Sequence, residues 1–305
     1  MKRTVIFTVA ALLVTALAVS CAASPSDEKE KYTFTTDAKY REMAAINSIT
    51  VEGSGTAGVF TEGRTVTLSS YRIAKYETTY ELWYEVWNWG VKHGYRFANT
   101  GREGMKGSEG KTPGEAKLEP VTFISWRDTI VWCNAYSEMS GLEPVYYRDK
   151  ECTEKIIWLA TEEVYVKSGA NGYCLPTEAE WEAAARGGNP SSEEWSTAYT
   201  SSTIGDAAWY TSNSSNVTQD VGGKKANGAG IYDMAGNVWE WVFDWYSTDK
   251  GTGTVTDPQG PESGELKMIC GGACNNKLDQ CQVTGRKSFS AGNGSYIQGF
   301  RVVRH

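Results

Sequence analysis

The chain has 305 residues, enough for one large domain or two small ones. Charged residues make up 22% and hydrophobic residues 40%, with 12 Trp and 17 Tyr, a composition typical of a folded globular protein. The formal net charge is −7, whereas nucleic-acid binders usually carry a basic excess, so we expect no nucleic-acid partner.

The first part of the chain has the features of an export signal. A basic start, MKR, precedes an apolar run over residues 5–19 that is too short for an ordinary membrane span. Small residues then lead into Cys21 and resemble the lipobox of bacterial lipoproteins, although Leu17 stands one position further from the cysteine than usual. We therefore predict a lipoprotein signal peptide over 1–20, lipidation of Cys21 and a location at the bacterial outer membrane or cell surface. Plain secretion is the alternative.

A polar and charged stretch follows and predicts a tether over residues 21–44 that holds the domain away from the membrane. From 45 to 305 we predict one domain, because no linker interrupts this range and no repeat of solenoid or propeller length occurs. Apolar and polar residues alternate between glycines at 45–79, which indicates short strands.

Several segments carry signals for the start and end of a helix. A Ser or Thr ahead of an apolar-periodic run predicts an N-cap, and a glycine after the run predicts the end. The predicted N-caps are Thr78 or Thr79, Ser125, and Thr177 in a capping box with Glu180; the predicted ends are Gly141 and Gly187.

Together these segments resemble the formylglycine-generating-enzyme (sulfatase-modifying-factor) family. YRIAKYETT, PVTFISWRDTIVWCN, LPTEAEWEAAARGG, GIYDMAGNVWEWVFDWY and a terminal GG…C…GFRVV occur in the family's order, over roughly 50–305. The resemblance implies an α+β domain with a C-type-lectin-like, formylglycine-generating-enzyme-type fold and much irregular loop structure. The family contains oxidases, iron enzymes and proteins without a catalytic role, so the fold alone does not fix the function.

The residues that catalytic relatives use are missing here. Formylglycine-forming relatives bind copper(I) through a Cys-x4-Cys pair, because soft thiolates suit a soft ion. Cys281 matches the second cysteine, but Asn276 stands at the first, and Cys274 lies two residues before it. The iron branch needs three histidines, and this chain has His93 and His305 alone. We therefore predict no enzyme activity; the alternative is an exported copper oxidase that uses Cys281 with Cys274.

The resemblance also implies a structural calcium site. In the family, N-x-x-G-N-x-W-E supplies a side chain, two backbone carbonyls and a glutamate to Ca²⁺, the oxygen ligands that this hard cation prefers. The matching residues are Asp233, Gly236, Val238 and Glu240. The alternative is a structural turn without metal, and in either case we expect no catalytic cofactor.

Lipidation of Cys21 would leave six of the seven cysteines. An oxidising compartment would allow them to form bridges in many pairings. Cys133 lies on the apolar face of a predicted helix, where a thiol acts as a small hydrophobe. Cys174 and Cys270 both stand where relatives often carry arginine, so a bridge between them is one option that the resemblance raises.

The C-terminal segment, residues 270–305, resembles a second group with the same fold, the variable proteins of diversity-generating retroelements. In that group a GG…C…R…GFR scaffold holds positions that vary. The leader, the tether and the missing catalytic residues resemble variable lipoproteins of Treponema type. Adenine mutagenesis of asparagine codons yields mainly Asn, Ser, Gly, Tyr, Asp, Ile, Phe and Thr, and SFSAGNGSYIQ is drawn mostly from that set. Antibody loops use similar residues.

We therefore expect residues 270–305 to bind a ligand through diversified positions on a fixed scaffold, with the GG and GFRVV flanks paired as strands. The partner would be an unknown protein or glycan on a host or neighbouring cell, and the protein a monomer; a structural envelope protein is a second alternative. The expected scaffold is Gly271, Gly272, Gly299, Phe300 and Arg301. The expected display positions are Cys274, Asn275, Asn276, Lys277, Asp279, Gln280, Thr284, Lys287, Phe289, Asn293, Ser295, Tyr296 and Ile297.

Overall fold

The structure is a computed structural model that describes residues 32–161, 163–197 and 204–305. The predicted signal peptide, 1–20, and the predicted lipidation residue, Cys21, lie outside the described residues. Within the described ranges, no helix is long and apolar enough to cross a membrane. The chain from Lys31 onward forms one compact unit.

Short strands and a few helices alternate with long loops, as expected for an α+β domain of this fold. In chain order the elements are β1 Met43–Ile46, β2 Ile49–Glu52, β3 Arg64–Leu68, β4 Tyr71–Ala74, α1 Tyr80–Lys92, β5 Arg102–Glu103, β6 Val121–Thr122, α2 Trp126–Met139, β7 Tyr146–Tyr147, β8 Tyr165–Val166, α3 Glu178–Ala185, α4 Glu193–Thr197, α5 Ile204–Ala207, β9 Trp239–Trp245, β10 Gly253–Thr256, β11 Lys267–Cys270, β12 Arg286–Phe289, β13 Gln298–Phe300 and β14 Val303–Arg304.

Two three-stranded sheets combine early and late parts of the chain. The first has the order β1-β4-β14, in which β4 pairs antiparallel with both neighbours. The second has the order β10-β3-β2, with β10 parallel to β3. In β2, Ile49 and Val51 point into the core while Thr50 and Glu52 are exposed, the alternation of a sheet with one buried face.

A four-stranded sheet with the order β12-β11-β9-β13 carries the C-terminal segment. The prediction that the GG and GFRVV flanks pair with each other is wrong. β11, which leads into Gly271, pairs antiparallel with β9, and β13 pairs parallel with the other side of β9. A largely buried strand from before the C-terminal segment therefore separates the two flanks and pairs with both.

The predicted helix starts are confirmed by side-chain caps. The hydroxyl of Thr79 accepts a hydrogen bond from the Leu82 amide at the start of α1. Ser125 and Thr177 each form a reciprocal capping box, at α2 and α3 respectively. Gly141 and Gly187 follow the ends of α2 and α3 with positive φ, the left-handed backbone that favours glycine.

Aromatic side chains form the centre of the core. The indole of Trp83 on α1 stacks on Trp132 of α2, with ring centroids 5.8 Å apart and an interplanar angle of 3°. The ring of Phe300 on β13 contacts both indoles edge-on. Helices α1 and α2 therefore pack directly against β13 of the C-terminal segment.

The domain begins earlier than predicted. Residues 32–44, assigned to the tether from their polar composition, pack on the domain instead. Thr35 and Thr36 donate backbone hydrogen bonds to the carboxylate of Glu85 on α1. Phe34 packs edge-on against Tyr136, with centroids 5.7 Å apart. Of the predicted tether, only residues 21–31 lie outside the described domain.

Candidate functional site

The loop after β11 depends on two glycines. Gly271 and Gly272 have φ of 95° and 84°, which other residues rarely adopt. A Cβ on Gly272 would lie 2.8 Å from the sulfur of Cys281. Gly299 in β13 is equally constrained, because a Cβ there would lie 2.8 Å from the carbonyl oxygen of Val121. These glycines are buried, as are Phe300 and Arg301, so the predicted scaffold residues all lie inside.

Arg301 holds the scaffold together through a fully buried ion pair. Its Nη2 and Nε donate to the two carboxylate oxygens of Glu240 on β9, at 2.7 and 2.8 Å. The indole N–H of Trp181 donates to the same carboxylate at 2.8 Å. The remaining guanidinium hydrogens bond to backbone carbonyls, including that of Tyr232. All strong donors of this arginine are therefore satisfied within the protein.

A second anchor, the largely buried Arg286, was not predicted from the sequence. Its Nε donates to Glu178 and its Nη2 to Glu182, both at 2.8 Å. Burial would raise the pKa of Glu178, but Arg286 and Lys250 bring it below its usual value. The available signal was the pair of acidic residues four apart in α3, which needs a cation if buried.

The predicted display positions divide by exposure. Cys274 is fully buried, so its assignment to the display surface is wrong. The half-buried positions are Asn275, Asn276, Gln280, Thr284, Phe289, Ser295 and Ile297. The exposed positions are Lys277, Asp279, Lys287, Asn293 and Tyr296, and we call these five the display surface.

Aromatic residues of the scaffold lie under part of this segment. The ammonium group of Lys287 lies 4.9 Å from the ring centroid of Trp239 on β9, whose backbone amide donates to the carbonyl of Ile297. Phe289 contacts Trp241 edge-on at 6.1 Å. Trp239 therefore links the β12 part of the segment to the stretch that contains Tyr296.

Two further loops border the segment, and neither was predicted from the sequence. The amide of Phe123 donates to the carbonyl of Ser295 at 3.0 Å, and Phe123 has a φ of 58°, which is unusual for a bulky residue. On the other side, the amide of Thr211 donates to the carbonyl of Asn276 at 3.0 Å. The positive φ of Phe123 could not be detected from a single sequence.

The structure gives the cysteines a packing role. Cys281 donates weakly to the carbonyl of Ala273 at 3.7 Å, and burial raises the pKa of both Cys274 and Cys281 to about 12. Asn276, at the position of the missing cysteine, accepts a hydrogen bond from the Ala273 amide with its side chain at 2.9 Å. Copper(I) binding would therefore have to displace the protons of two buried thiols.

No disulfide joins the cysteines that the structure describes. Cys174 forms a backbone bridge with Val303, and its thiol lies 3.7 Å from that residue's carbonyl. Cys270 lies in β11 opposite Arg286 and Glu240. The suggested Cys174–Cys270 bridge is therefore not formed.

The residues of the expected calcium site fit the ion in part. Asp233 has one carboxylate oxygen that is buried without a hydrogen-bond partner, and burial raises its pKa to about 6. Both oxygens of Glu240, by contrast, already bind Arg301. Across the described residues, no group of three or more His, Cys, Asp or Glu side chains is arranged to hold a metal ion. A calcium ion at this position would therefore be coordinated by Asp233 and by the carbonyls of Gly236 and Val238.

Fold and site together define an α+β domain of the formylglycine-generating-enzyme type. Its C-terminal segment exposes polar and aromatic side chains, and buried arginine–carboxylate pairs hold that segment in place. A family model described as "Sulfatase-modifying factor enzyme 1-like domain" matches residues 30–305, and the chain belongs to this family.

Similar proteins carry diverse names. Among solved structures, Treponema denticola variable protein 1 is similar with a TM-score of 0.71 and 29% identity, over 86% of this chain and 94% of that one. The chaperone protein LppX of Paenibacillus barcinonensis is 32% identical over 79% of this chain and 82% of its own length. The formylglycine-generating enzyme of Thermomonospora curvata is 34% identical, over 43% of this chain and 49% of its own length. The family thus includes a protein named for an enzyme activity and one named for variability.

Proposed function

We propose that the protein is a surface-displayed lipoprotein that binds an unidentified protein or glycan through the display surface, without catalysis. The observation that carries this proposal is the separation of roles within one segment. Arg301 is fully buried in an ion pair and the Arg286 side chain is only 10% exposed in its own, while Lys277, Lys287 and Tyr296 are exposed. The similarity to a protein named as variable, Treponema denticola variable protein 1, supports the proposal that positions in this segment are diversified.

The physical advantage of this arrangement is preorganisation. The backbone of the segment is held by β9 on both sides, so a ligand need not order it on binding. Tyr296 offers a large amphipathic ring with few rotatable bonds, and Asn293 offers adaptable hydrogen bonding. Exposed lysine and aspartate side chains add charge that can select a partner and speed encounter.

We also propose the lipid anchor at Cys21 and a monomeric state. The resemblance of the leader to a lipobox supports the anchor. Metabolic labelling with a palmitate analogue, followed by a Cys21→Ser variant, tests it: label that persists in the variant contradicts the proposal. Light scattering of the domain from residue 31 onward tests the monomer.

The experiment that tests binding by diversification is sequencing of the DNA that encodes residues 265–305 across related isolates, aligned against any nearby template repeat. We expect substitutions at template adenines that change the five display-surface positions and spare Arg286 and Arg301. An invariant segment without a template would contradict the proposal.

One residue supports the alternative that the protein is an enzyme: Cys281 stands at the position of a copper-binding cysteine. Anaerobic titration with copper(I) in the presence of a competing chelator tests it directly. We expect the same weak affinity for the protein and for its Cys281→Ser variant. A tight site that is lost in this variant would support the oxidase instead.

We further propose that Asp233 and the carbonyls of Gly236 and Val238 hold a structural calcium ion. The ion would offset the buried charges of Asp233 and Glu240, and of Glu77, whose pKa is raised by burial and by these two neighbours. We expect the melting temperature in excess calcium chloride to exceed that in EDTA by several degrees, and the difference to vanish in Asp233→Asn. Identical melting curves for the unmodified protein would contradict this site.

A further inference from the structure

A cavity of about 500 Å³ lies on a different part of the domain, between β3, β9, α3 and residues 247–261, which include β10. This volume suits a small metabolite. Its lining includes the apolar side chains of Val59, Ala179 and Val255 and the charged side chains of Arg64 and Asp244. The cavity shares no residue with the display surface.

Arg64 is a buried cation without a carboxylate partner. Its side chain is on β3 and the residue is 7% exposed. Nη1 donates to the carbonyl of Val59 at 3.2 Å, Nε has no partner, and no ion pair joins this arginine to any acid among the described residues. Burial lowers its pKa, partly offset by the charges of Glu178 and Asp244. An unpaired buried charge is costly, so such a group normally has a partner.

Asp244 is a buried carboxyl group that is equally incomplete. It lies on β9, is 3% exposed and accepts one hydrogen bond, from the Glu178 amide to Oδ2 at 2.8 Å. Its pKa is raised to about 7, first by burial and then by the charge of Glu178. Gly260 lies against the other oxygen, since a Cβ at this glycine would be 2.9 Å from Oδ1. A larger residue at this position would therefore press on the carboxyl group.

Two further acids and three bases near the cavity form a network of ion pairs. Glu178 pairs with Lys250 at 2.5 Å and with Arg286 at 2.8 Å. Glu182 pairs with Arg186 and with Arg286, both at 2.8 Å. Arg64 and Asp244 take no part in these ion pairs, and they line one cavity without forming an ion pair with each other.

We infer that this cavity binds a free α-amino acid with an apolar side chain. The ligand carboxylate would pair with the guanidinium of Arg64, which favours planar anions. The ligand ammonium would donate to Oδ1 of Asp244, and the side chain would lie along Val59, Ala179 and Val255. A zwitterion supplies both missing partners at once, which neither a simple anion nor a simple amine does.

The test is isothermal titration calorimetry with L-leucine and two matched probes, each lacking one charge. N-acetyl-L-leucine has no ammonium, and L-leucinamide has no carboxylate. We expect L-leucine to bind and both probes to bind at least tenfold more weakly. Asp244→Asn, which keeps the shape of the side chain, should weaken L-leucine at least tenfold and bring its affinity close to that of N-acetyl-L-leucine. Arg64→Met should abolish binding of L-leucine.

Arg72→Met is the control, because Arg72 lies exposed on the neighbouring strand β4. It should leave the affinity unchanged. If N-acetyl-L-leucine binds as well as L-leucine, the cavity is an anion site and the inference is wrong; it is also wrong if L-leucine shows no binding. If Arg64→Met fails to fold, the affinities of the two probes and the effect of Asp244→Asn still test the inference. The ligand-display proposal does not depend on this outcome.

Discussion

Two buried arginines of this domain have opposite surroundings. Arg301, below the C-terminal segment, binds both oxygens of Glu240 and several backbone carbonyls. Arg64, beside the cavity, has a single hydrogen bond to a carbonyl and no carboxylate within ion-pair distance among the described residues. The protein supplies all the hydrogen-bond and ion-pair partners of Arg301, which stabilises the fold. Arg64 lacks a full set of such partners, as expected of a buried charged group whose partner is a ligand.

Removing the partner of Arg301 should have the largest effect. In Glu240→Gln the guanidinium would stay buried without a counter-charge, and breaking a buried pair in this way costs about 3–5 kcal/mol. We expect a corresponding fall in the free energy of unfolding, measured by urea denaturation. The double variant Glu240→Met, Arg301→Met should lose less. An equal loss in both would show that packing, rather than the unpaired charge, dominates.

Two adjacent residues of β12 have different roles: Arg286 anchors the strand through ion pairs, whereas Lys287 belongs to the display surface. Arg286→Met would leave Glu178 and Glu182 short of a cation, so we expect a loss of about 2–4 kcal/mol. Lys287→Met removes an exposed charge and should change stability by less than about 0.5 kcal/mol. Urea denaturation of both variants measures the contrast, and similar losses would contradict it.

Asp244 should make stability depend on pH. Its folded pKa of about 7 lies above the usual value, so the stability it contributes is present at low pH and declines as pH rises through about 7. Within the window from about pH 4 to 7 its contribution falls by up to about 1.4 kcal/mol per pH unit. Asp244→Asn should remove this slope, and parallel pH profiles for the two proteins would contradict the assignment.

The smallest effect is expected at the display surface. Tyr296 is 43% exposed, and Tyr296→Ser should change the melting temperature by no more than about one or two degrees. The same substitution should weaken ligand binding once a ligand is known, because tyrosine is a frequent contact residue. A large loss of stability would place this residue in the scaffold instead.

Local features were predictable from the sequence and long-range ones were not. The caps at Thr79, Ser125 and Thr177 involve residues three apart, so a short motif contains the whole interaction. Arg286 binds partners 108 and 104 residues away, and nothing in its own neighbourhood distinguishes it from Lys287. For the same reason the sequence did not show that β9 separates the two flanks.

The predictions for Cys274 and for the start of the domain were wrong because a polar composition was interpreted as exposure to solvent. Cys274 lies in a polar stretch, yet its backbone is held by Asn237 and Ser214, which turns the thiol inward. The polar residues before β1 include Tyr32 and Phe34, which pack on the core. Those two aromatic residues were the available signal that the predicted tether ends early.

The adjacency of Arg286 and Lys287 has a genetic consequence. A process that randomised β12 as a block would replace the arginine that neutralises Glu178 and Glu182 as often as the lysine that faces solvent. Such products would lose the ion pairs of Arg286 before any selection for a partner. A process that diversifies this segment without destabilising the domain must therefore act on single codons, so that the codon of Lys287 changes while that of Arg286 does not. A laboratory library built on this domain should likewise use degenerate codons at the outward positions and fixed codons between them.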